Sequence, residues 1–192
     1  MSGSESILIK NIEYTNDRKT LVRCHDRNIT SIEIPNSVVT IADQAFSNCL
    51  TLTSVHIPNS VTSIGDGAFR GCTSLVSVLI PDSVTALGDN AFNGCSKLSS
   101  ITLSKSIKTL YEGTFLFCPL KQITIPSTTS INVSGHCFVS MDKLESISVC
   151  EGHTQLYSEN GVLFNKNKTI LIKYPPFKTD VMYRVPESVT SI

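Results

Sequence analysis

Four cysteines stand at one interval: Cys49, Cys72, Cys95 and Cys118 recur every 23 residues. A column of thiols is the part of this sequence best equipped for chemistry, either as disulfides between neighbours or as ligands for a soft metal. Adjacent parallel strands lie about 4.8 Å apart, and disulfide Cα separations run about 4.4–6.8 Å. Distance alone therefore does not exclude bridges between turns. A zinc site needs Cys or His converging on a tetrahedron from separate directions, which a single-file column does not offer. The total of seven Cys is odd, which argues against a complete disulfide framework. The column reads as free Cys used as a small buried hydrophobe. Two other groupings set nucleophile-like and base-like side chains together, Cys24-His25-Asp26 and His136-Cys137. Neighbours along a strand point to opposite faces, so adjacency is the wrong geometry for a triad. Cys137 also stands in register with Ala45, Ala68 and Ala91, a packing position. No catalytic residue, metal ligand or cofactor site is expected.

The elements that carry the thiols are set by a second column. Phe46, Phe69, Phe92, Phe115 and Phe138 recur at the same 23-residue interval, each three residues before the Cys position. At 141 that position holds Met, another soft core filler. A Leu-x-x-ϕ-x-ϕ frame, where ϕ is apolar, precedes each Phe and occurs once more after the last. Its six instances are Ile29/Ile32/Ile34, Leu52/Val55/Ile57, Leu75/Val78/Ile80, Leu98/Ile101/Leu103, Leu120/Ile123/Ile125 and Leu144/Ile147/Val149. Periods of about 20–29 residues with this frame mark leucine-rich repeats. Alternation at the last two apolar sites predicts a short strand with one buried face. Pro35, Pro58, Pro81 and Pro126 end that strand, since proline cannot donate to a ladder. The stretch after it, such as Gly65-Asp-Gly-Ala68-Phe69-Arg-Gly-Cys72, predicts a helical or 3-10 turn on the opposite side. A single unit cannot offset the roughly 1–2 kcal/mol per residue of backbone ordering, so the units must stack. The expected fold is a curved leucine-rich repeat solenoid with a parallel sheet on its concave side.

The period has one flaw. Leu120 arrives one residue early, and Phe138 follows Pro126 by twelve residues where other repeats have eleven, so the core column returns to phase. Beyond Val149 the frame stops. Glu159 to Pro176 reads as two apolar runs around a polar Asn/Lys turn, hence a β-hairpin. Tyr14 to Cys24 is a near copy. The expected organisation is a hairpin or capping module at 1–28, five to six repeats at 29–150, a second hairpin module at 151–182 and the start of a truncated repeat at 183–192. The sequence thus reads as part of a longer solenoid.

Formal net charge is zero and charged residues make up 17% of the chain, without a basic cluster. That disfavours nucleic acid as partner. No apolar run reaches the ~18 residues a membrane span requires. The opening Met1-Ser-Gly-Ser-Glu-Ser6 shows neither a positive n-region nor a long apolar h-region, the marks of a secretory signal. Three glycosylation sequons, Asn28-Ile-Thr30, Asn132-Val-Ser134 and Asn167-Lys-Thr169, occur at the frequency chance provides and carry no weight.

Ser-Val, Ile-Gly, Ala-Phe and Cys recur in register across residues 29–150, as in Pro58-Asn-Ser60-Val61-Thr-Ser-Ile64-Gly65-Asp-Gly-Ala68-Phe69-Arg-Gly-Cys72. In this the chain closely resembles the BspA-like leucine-rich repeat family. Ser104 in place of the strand-ending Pro and Thr114 in place of Ala are departures. The resemblance implies a non-enzymatic surface antigen or adhesin, on the cell surface or secreted, that recognises host or matrix proteins. An intracellular protein-interaction scaffold is the alternative, favoured by the unpaired thiols and the absent signal. Strand alternation sends one row of side chains outward on the concave face. The expected protein-binding residues are Ser31, Glu33, Ser54, His56, Ser77, Leu79, Ser100, Thr102, Gln122, Thr124, Ser146 and Ser148. They form a nearly uncharged ladder of small hydroxyls with Leu79 as one apolar spot beside His56.

Overall fold

Each 23-residue unit closes one turn of a solenoid by contributing two short strands to two parallel stacks. The computed structural model describes residues 6–131, 136–180 and 182–192. The concave stack consists of Ser31–Glu33, Ser54–His56, Ser77–Leu79, Ser100–Thr102, Gln122–Ile125 and Ser146–Val149. The second stack consists of Thr40–Ile41, Ser63–Ile64, Ala86–Leu87, Thr109–Leu110 and Ser130–Ile131. Register follows the sequence period: Ser31 lies over Ser54 and Glu33 over His56, and Ser77 lies over Ser100. Between Gln122 and Ser146 the step is 24 residues, which is the extra residue that restores phase after Leu120.

Proline starts the corner between the two strands. Val38, Val61 and Val84 donate their N–H to the carbonyls of Pro35, Pro58 and Pro81 at 3.0, 3.1 and 2.9 Å. Ser104 replaces proline by a different device: its buried Oγ donates to the Val84 carbonyl at 2.6 Å and accepts the Ser106 N–H at 3.0 Å.

The core is one continuous cluster running the length of the stack, with Phe46, Phe69, Phe92, Phe115 and Phe138 all buried. Rings of successive turns lie face to face, at 5.2 Å between Phe46 and Phe69, 5.3 Å between Phe69 and Phe92, and 6.0 Å between Phe92 and Phe115. Parallel stacking with offset gives about 0.5–1.5 kcal/mol per pair beyond the area buried.

The expected helical turns are absent from all but one repeat. A 3-10 helix forms at His136–Phe138, and elsewhere among the described residues the convex side is built of turns. Hydrogen bonding supplies the reason. Gln44, Phe46 and Asn48 donate their N–H forward to Asp66, Ala68 and Arg70 of the next repeat, at 2.8, 2.7 and 2.7 Å. Only the alternate groups of Ala45, Ser47 and Cys49 close local turns, onto Ala42, Gln44 and Phe46. A helix needs every N–H within its own segment, so the inter-turn bonds exclude it. The alternation is completed by left-handed residues, Gln44 and Asn48 in one repeat and Gly67 and Gly71 in the next, where glycine carries no Cβ penalty.

Both ends of the repeat block carry a three-stranded antiparallel meander, one strand more than the hairpins expected from sequence. The first is Ser6–Ile9, Ile12–Thr15 and Thr20–Cys24. Its last strand joins Thr40–Ile41 in parallel, so the meander extends the second stack and covers the end of the core with Ile12, Tyr14, Leu21 and Cys24. The other meander is Leu156–Glu159, Val162–Asn165 and Leu171–Lys173. A parallel bridge from Ile170 to Ser191 repeats the same join.

Candidate functional site

The twelve side chains singled out from sequence lie in one row on the concave face. Eleven are exposed, and Ser146 is half-buried. The middle residues of the same strands turn inward, with Val78, Ile123 and Ile147 fully buried. This is the pleat acting on three-residue strands. None of the twelve side chains makes a hydrogen bond or ion pair within the described protein.

Hydroxyls at the corners behave differently. Thr53 Oγ1 donates to the Thr30 carbonyl at 2.8 Å, Ser83 Oγ to Val61 at 2.7 Å, and Thr128 Oγ1 to Lys105 at 2.8 Å. Each bond spans about one repeat and ties a hydroxyl to a backbone carbonyl of the preceding turn. The abundance of Ser and Thr thus has two origins, and the concave set is unengaged along the whole row.

The concave surface is not a continuous sheet. Its strands pair two by two, Ser31–Glu33 with Ser54–His56, Ser77–Leu79 with Ser100–Thr102, and Gln122–Ile125 with Ser146–Val149. Open grooves lie where the pairs meet. One, of about 360 Å³, is bordered by His56, Pro58, Leu79 and Pro81. The other, of about 540 Å³, is bordered by Ser100, Thr102, Gln122 and Thr124 with Lys105 and Lys121 at its rim. Those lysines are steadied by carboxylates, Lys105 by Asp82 at 3.7 Å and Lys121 by Glu145 at 3.1 Å. Leu79 is 64% exposed, the one apolar member of the row. At the far end the row is cut short. The Asn160-Gly161 turn lands on the last strand: Ile147 N–H donates to the Gly161 carbonyl at 2.9 Å, and a Cβ on Gly161 would meet Ser146 Cβ at 2.9 Å. That turn half-buries Ser146. Asn-Gly between apolar runs is the strongest short hairpin signal and was readable in the sequence; the lysine rim and the pairing of strands were not.

The thiol column does no exposed chemistry. Cys49, Cys72, Cys95 and Cys118 are buried and all seven cysteines are free. Cys72, Cys95 and Cys118 each donate Sγ–H to the carbonyl of the Phe one turn back, Phe46, Phe69 and Phe92, at 3.1 Å in every case. The same carbonyls accept the N–H of their own turn's Cys. Burial pushes the Cys49 thiol up to about 11 and the Cys72 and Cys137 thiols up to about 12. Cys95 is raised too, first by its hydrogen bond with Cys118 and then by burial. Thiolate is the nucleophile and ligand, so these groups are held in the inert form. Cys24, His25 and Asp26 diverge: Cys24 is buried with its thiol on the Asp26 carbonyl, while His25 Nε2 sits 3.0 Å from Glu13 Oε2 on the surface. The His25 and Ser6 hydrogen bonds hold the Glu13 carboxyl below its usual range. Cys137 is buried, and the side chain of His136 and the Asn132 sequon lie outside the described residues. Among the described residues no three His, Cys, Asp or Glu side chains gather as a metal would require, and no helix is long and apolar enough to cross a membrane.

Comparison with known proteins agrees with this geometry. The BspA type leucine rich repeat region matches in six copies, over residues 23–145 and 80–172. No curated protein matches the sequence. Among solved structures, the pneumococcal vaccine antigen PcpA superposes with a TM-score of 0.74 at 22% identity, over 98% of this chain and 60% of that one. A leucine-rich repeat protein from Eubacterium ventriosum gives a TM-score of 0.73 at 25% identity, over 96% and 55%. A leucine rich cell surface protein from Faecalibacterium prausnitzii gives 0.56 at 23%, over 100% and 67%. The chain therefore spans a little more than half the length of the first two. With Phe, Cys and proline corners repeating in register and the family matched across most of its length, this chain belongs to the BspA type leucine-rich repeat family.

Proposed function

We propose that the chain is a non-enzymatic, protein-binding segment of a surface antigen or adhesin, and that it recognises host or matrix proteins through its concave row. One observation carries the reading. Corner hydroxyls such as those of Thr53, Ser83 and Thr128 bond to backbone carbonyls of the preceding turn, whereas none of the concave hydroxyls has an internal partner. An open row of donors and acceptors, broken by one exposed Leu79 between two grooves, suits an extended protein surface held by many polar contacts and an apolar anchor. Two structural neighbours, a vaccine antigen and a cell surface protein, support the location.

Free thiols had favoured an intracellular scaffold. Six of the seven are buried and hence protected from oxidation in any compartment, so they no longer distinguish the two. The test has two parts. Antibody to residues 29–150 should label intact source cells without permeabilisation; signal only after permeabilisation would transfer the reading to a scaffold. In solid-phase binding to matrix proteins and intact host cells, the double variant Ser77→Glu/Leu79→Glu should lose at least about tenfold in affinity, or about 1.4 kcal/mol. Unchanged binding by a folded variant would move the site off the concave face.

A further inference from the structure

The two grooves of the concave face lie two repeats apart and differ in character. One falls between the second and third concave strands, Ser54–His56 and Ser77–Leu79. The other falls between the fourth and fifth, Ser100–Thr102 and Gln122–Ile125. Parallel strands are spaced by about 4.8 Å, so the groove centres stand about 10 Å apart along the solenoid. The first groove is lined by Ile57, Pro58, Pro81 and the exposed Leu79, with no Lys, Arg, Asp or Glu among its described residues. In the second, Lys105 and Lys121 are the only charged residues among the described lining, and their partners Asp82 and Glu145 stand outside it. One carboxylate does not exhaust an ammonium group with three donors. Between the grooves stand Ser77, Ser100 and Thr102, exposed and without internal partners.

We propose that the row takes a polyproline II segment of the partner protein, running along the solenoid axis; this rests on the concave row being the binding face. An apolar residue of the segment enters the groove at Leu79, and an acidic residue three positions away enters the groove at Lys105 and Lys121. The spacing selects this backbone. Polyproline II brings residues i and i+3 to one face about 9.3 Å apart, and its carbonyls have no internal partners. A β-strand sets same-face residues about 6.6 or 13 Å apart, out of step with the grooves. An α-helix comes close at i and i+7, about 10.5 Å, but its carbonyls are bonded within the helix. It would leave the hydroxyls between the grooves without acceptors. Proline has no N–H to give, so a proline-rich segment offers acceptors, and Ser77, Ser100 and Thr102 supply the donors. Its preset conformation also lowers the entropy lost on binding.

The probes are short fluorescein-labelled peptides, proline throughout except for one leucine and one glutamate, read by fluorescence anisotropy against the full chain. With the two residues at i and i+3, in one order or the other, binding should be at least about tenfold tighter than with both at i and i+2. Glutamine in place of glutamate should weaken it by at least about fivefold. Lys105→Met/Lys121→Met should bring the glutamate and glutamine peptides within about twofold of each other, and Ser77→Glu/Leu79→Glu should abolish binding of both. Binding without regard to spacing, a glutamate preference that survives loss of both lysines, or tighter binding of a helical peptide with leucine and glutamate at i and i+7 would overturn the proposal. So would failure of every peptide to bind. If matrix or host-cell binding is then still lost in Ser77→Glu/Leu79→Glu, the concave site stands and only this ligand class falls; if it is kept, both fall.

Discussion

Phe92→Ala should be among the most damaging single changes available to this protein. The side chain is fully buried and stacks on both sides, 5.3 Å from Phe69 and 6.0 Å from Phe115. Truncating a buried aromatic costs about 3–5 kcal/mol through lost transfer energy and the cavity left behind. Two ring contacts of about 0.5–1.5 kcal/mol each vanish with it, which places this site in the upper half of that range, about 4–5 kcal/mol. The position adds a second effect. In a stack where each repeat touches only its neighbours, stability is a sum of repeat and interface terms. A void in the middle turn weakens the coupling between the two halves, so the unfolding transition should broaden and its m-value fall. Urea titration followed by far-ultraviolet circular dichroism and by tyrosine fluorescence measures both, as the chain has five Tyr and no Trp. Domains of ordinary stability have about 5–15 kcal/mol in total, so the variant stands at the margin of folding. Phe92→Leu provides the graded control: it keeps most of the volume, loses both ring contacts, and should cost about 1–2 kcal/mol. A loss below about 1 kcal/mol for Phe92→Ala would refute the view that the Phe column is the structural axis.

The remaining expectations concern the thiols and the joint with the second meander. Ellman's reagent on native protein should titrate one thiol quickly, half-buried Cys150, and the other six only after unfolding; fast reaction of several would contradict their burial. Stability should decline in alkali. The folded-state values of Cys49, about 11, and Cys72, about 12, lie above the ordinary 9.0, so the unfolded chain releases these protons first. The folded state then binds more protons, and stability falls as pH rises from about 9 through 12; a flat profile over that window would remove the thiols from the core. His153 is buried with Nε2 2.8 Å from the Thr129 carbonyl, while Nδ1 accepts the N–H groups of Gln155 and Leu156 at 3.1 Å each. His153→Ala strands three backbone groups, at about 1–3 kcal/mol for each that stays dry. Hydrogen exchange should quicken in residues 156–173 and spare residues 31–102; equal quickening in both would mean the joint is not local.

How much could be read in advance differs by element. The concave strands, the Phe and Cys columns and the outward row were legible because burial at a fixed spacing is written directly in residue types. The convex turns were misread as helical: Gly-Ala-Phe segments are compatible with a helix, and nothing local reveals that Phe46 and Asn48 give their N–H to the next repeat. Ser6–Ile9 was passed over because a four-residue run before Lys10-Asn11 has no period to stand on, although Asn160-Gly161 in the second meander was a usable cue. Lys105 and Lys121 carried no motif; their place at a groove depends on which strands pair.

By itself, the sequence determined the period, the stacking and the inward and outward faces of each strand, since these follow from apolar residues recurring every 23 positions. The tertiary structure alone decided where hydrogen bonds go between residues 22 to 26 apart, as from Ser83 to Val61 and from Cys72 to Phe46. Those bonds replace helices with turns, hold the thiols protonated at Phe carbonyls, and leave the concave hydroxyls as the row without partners. The physical reason is that a donor's choice of acceptor is settled by proximity in the assembled stack, which no single repeat contains.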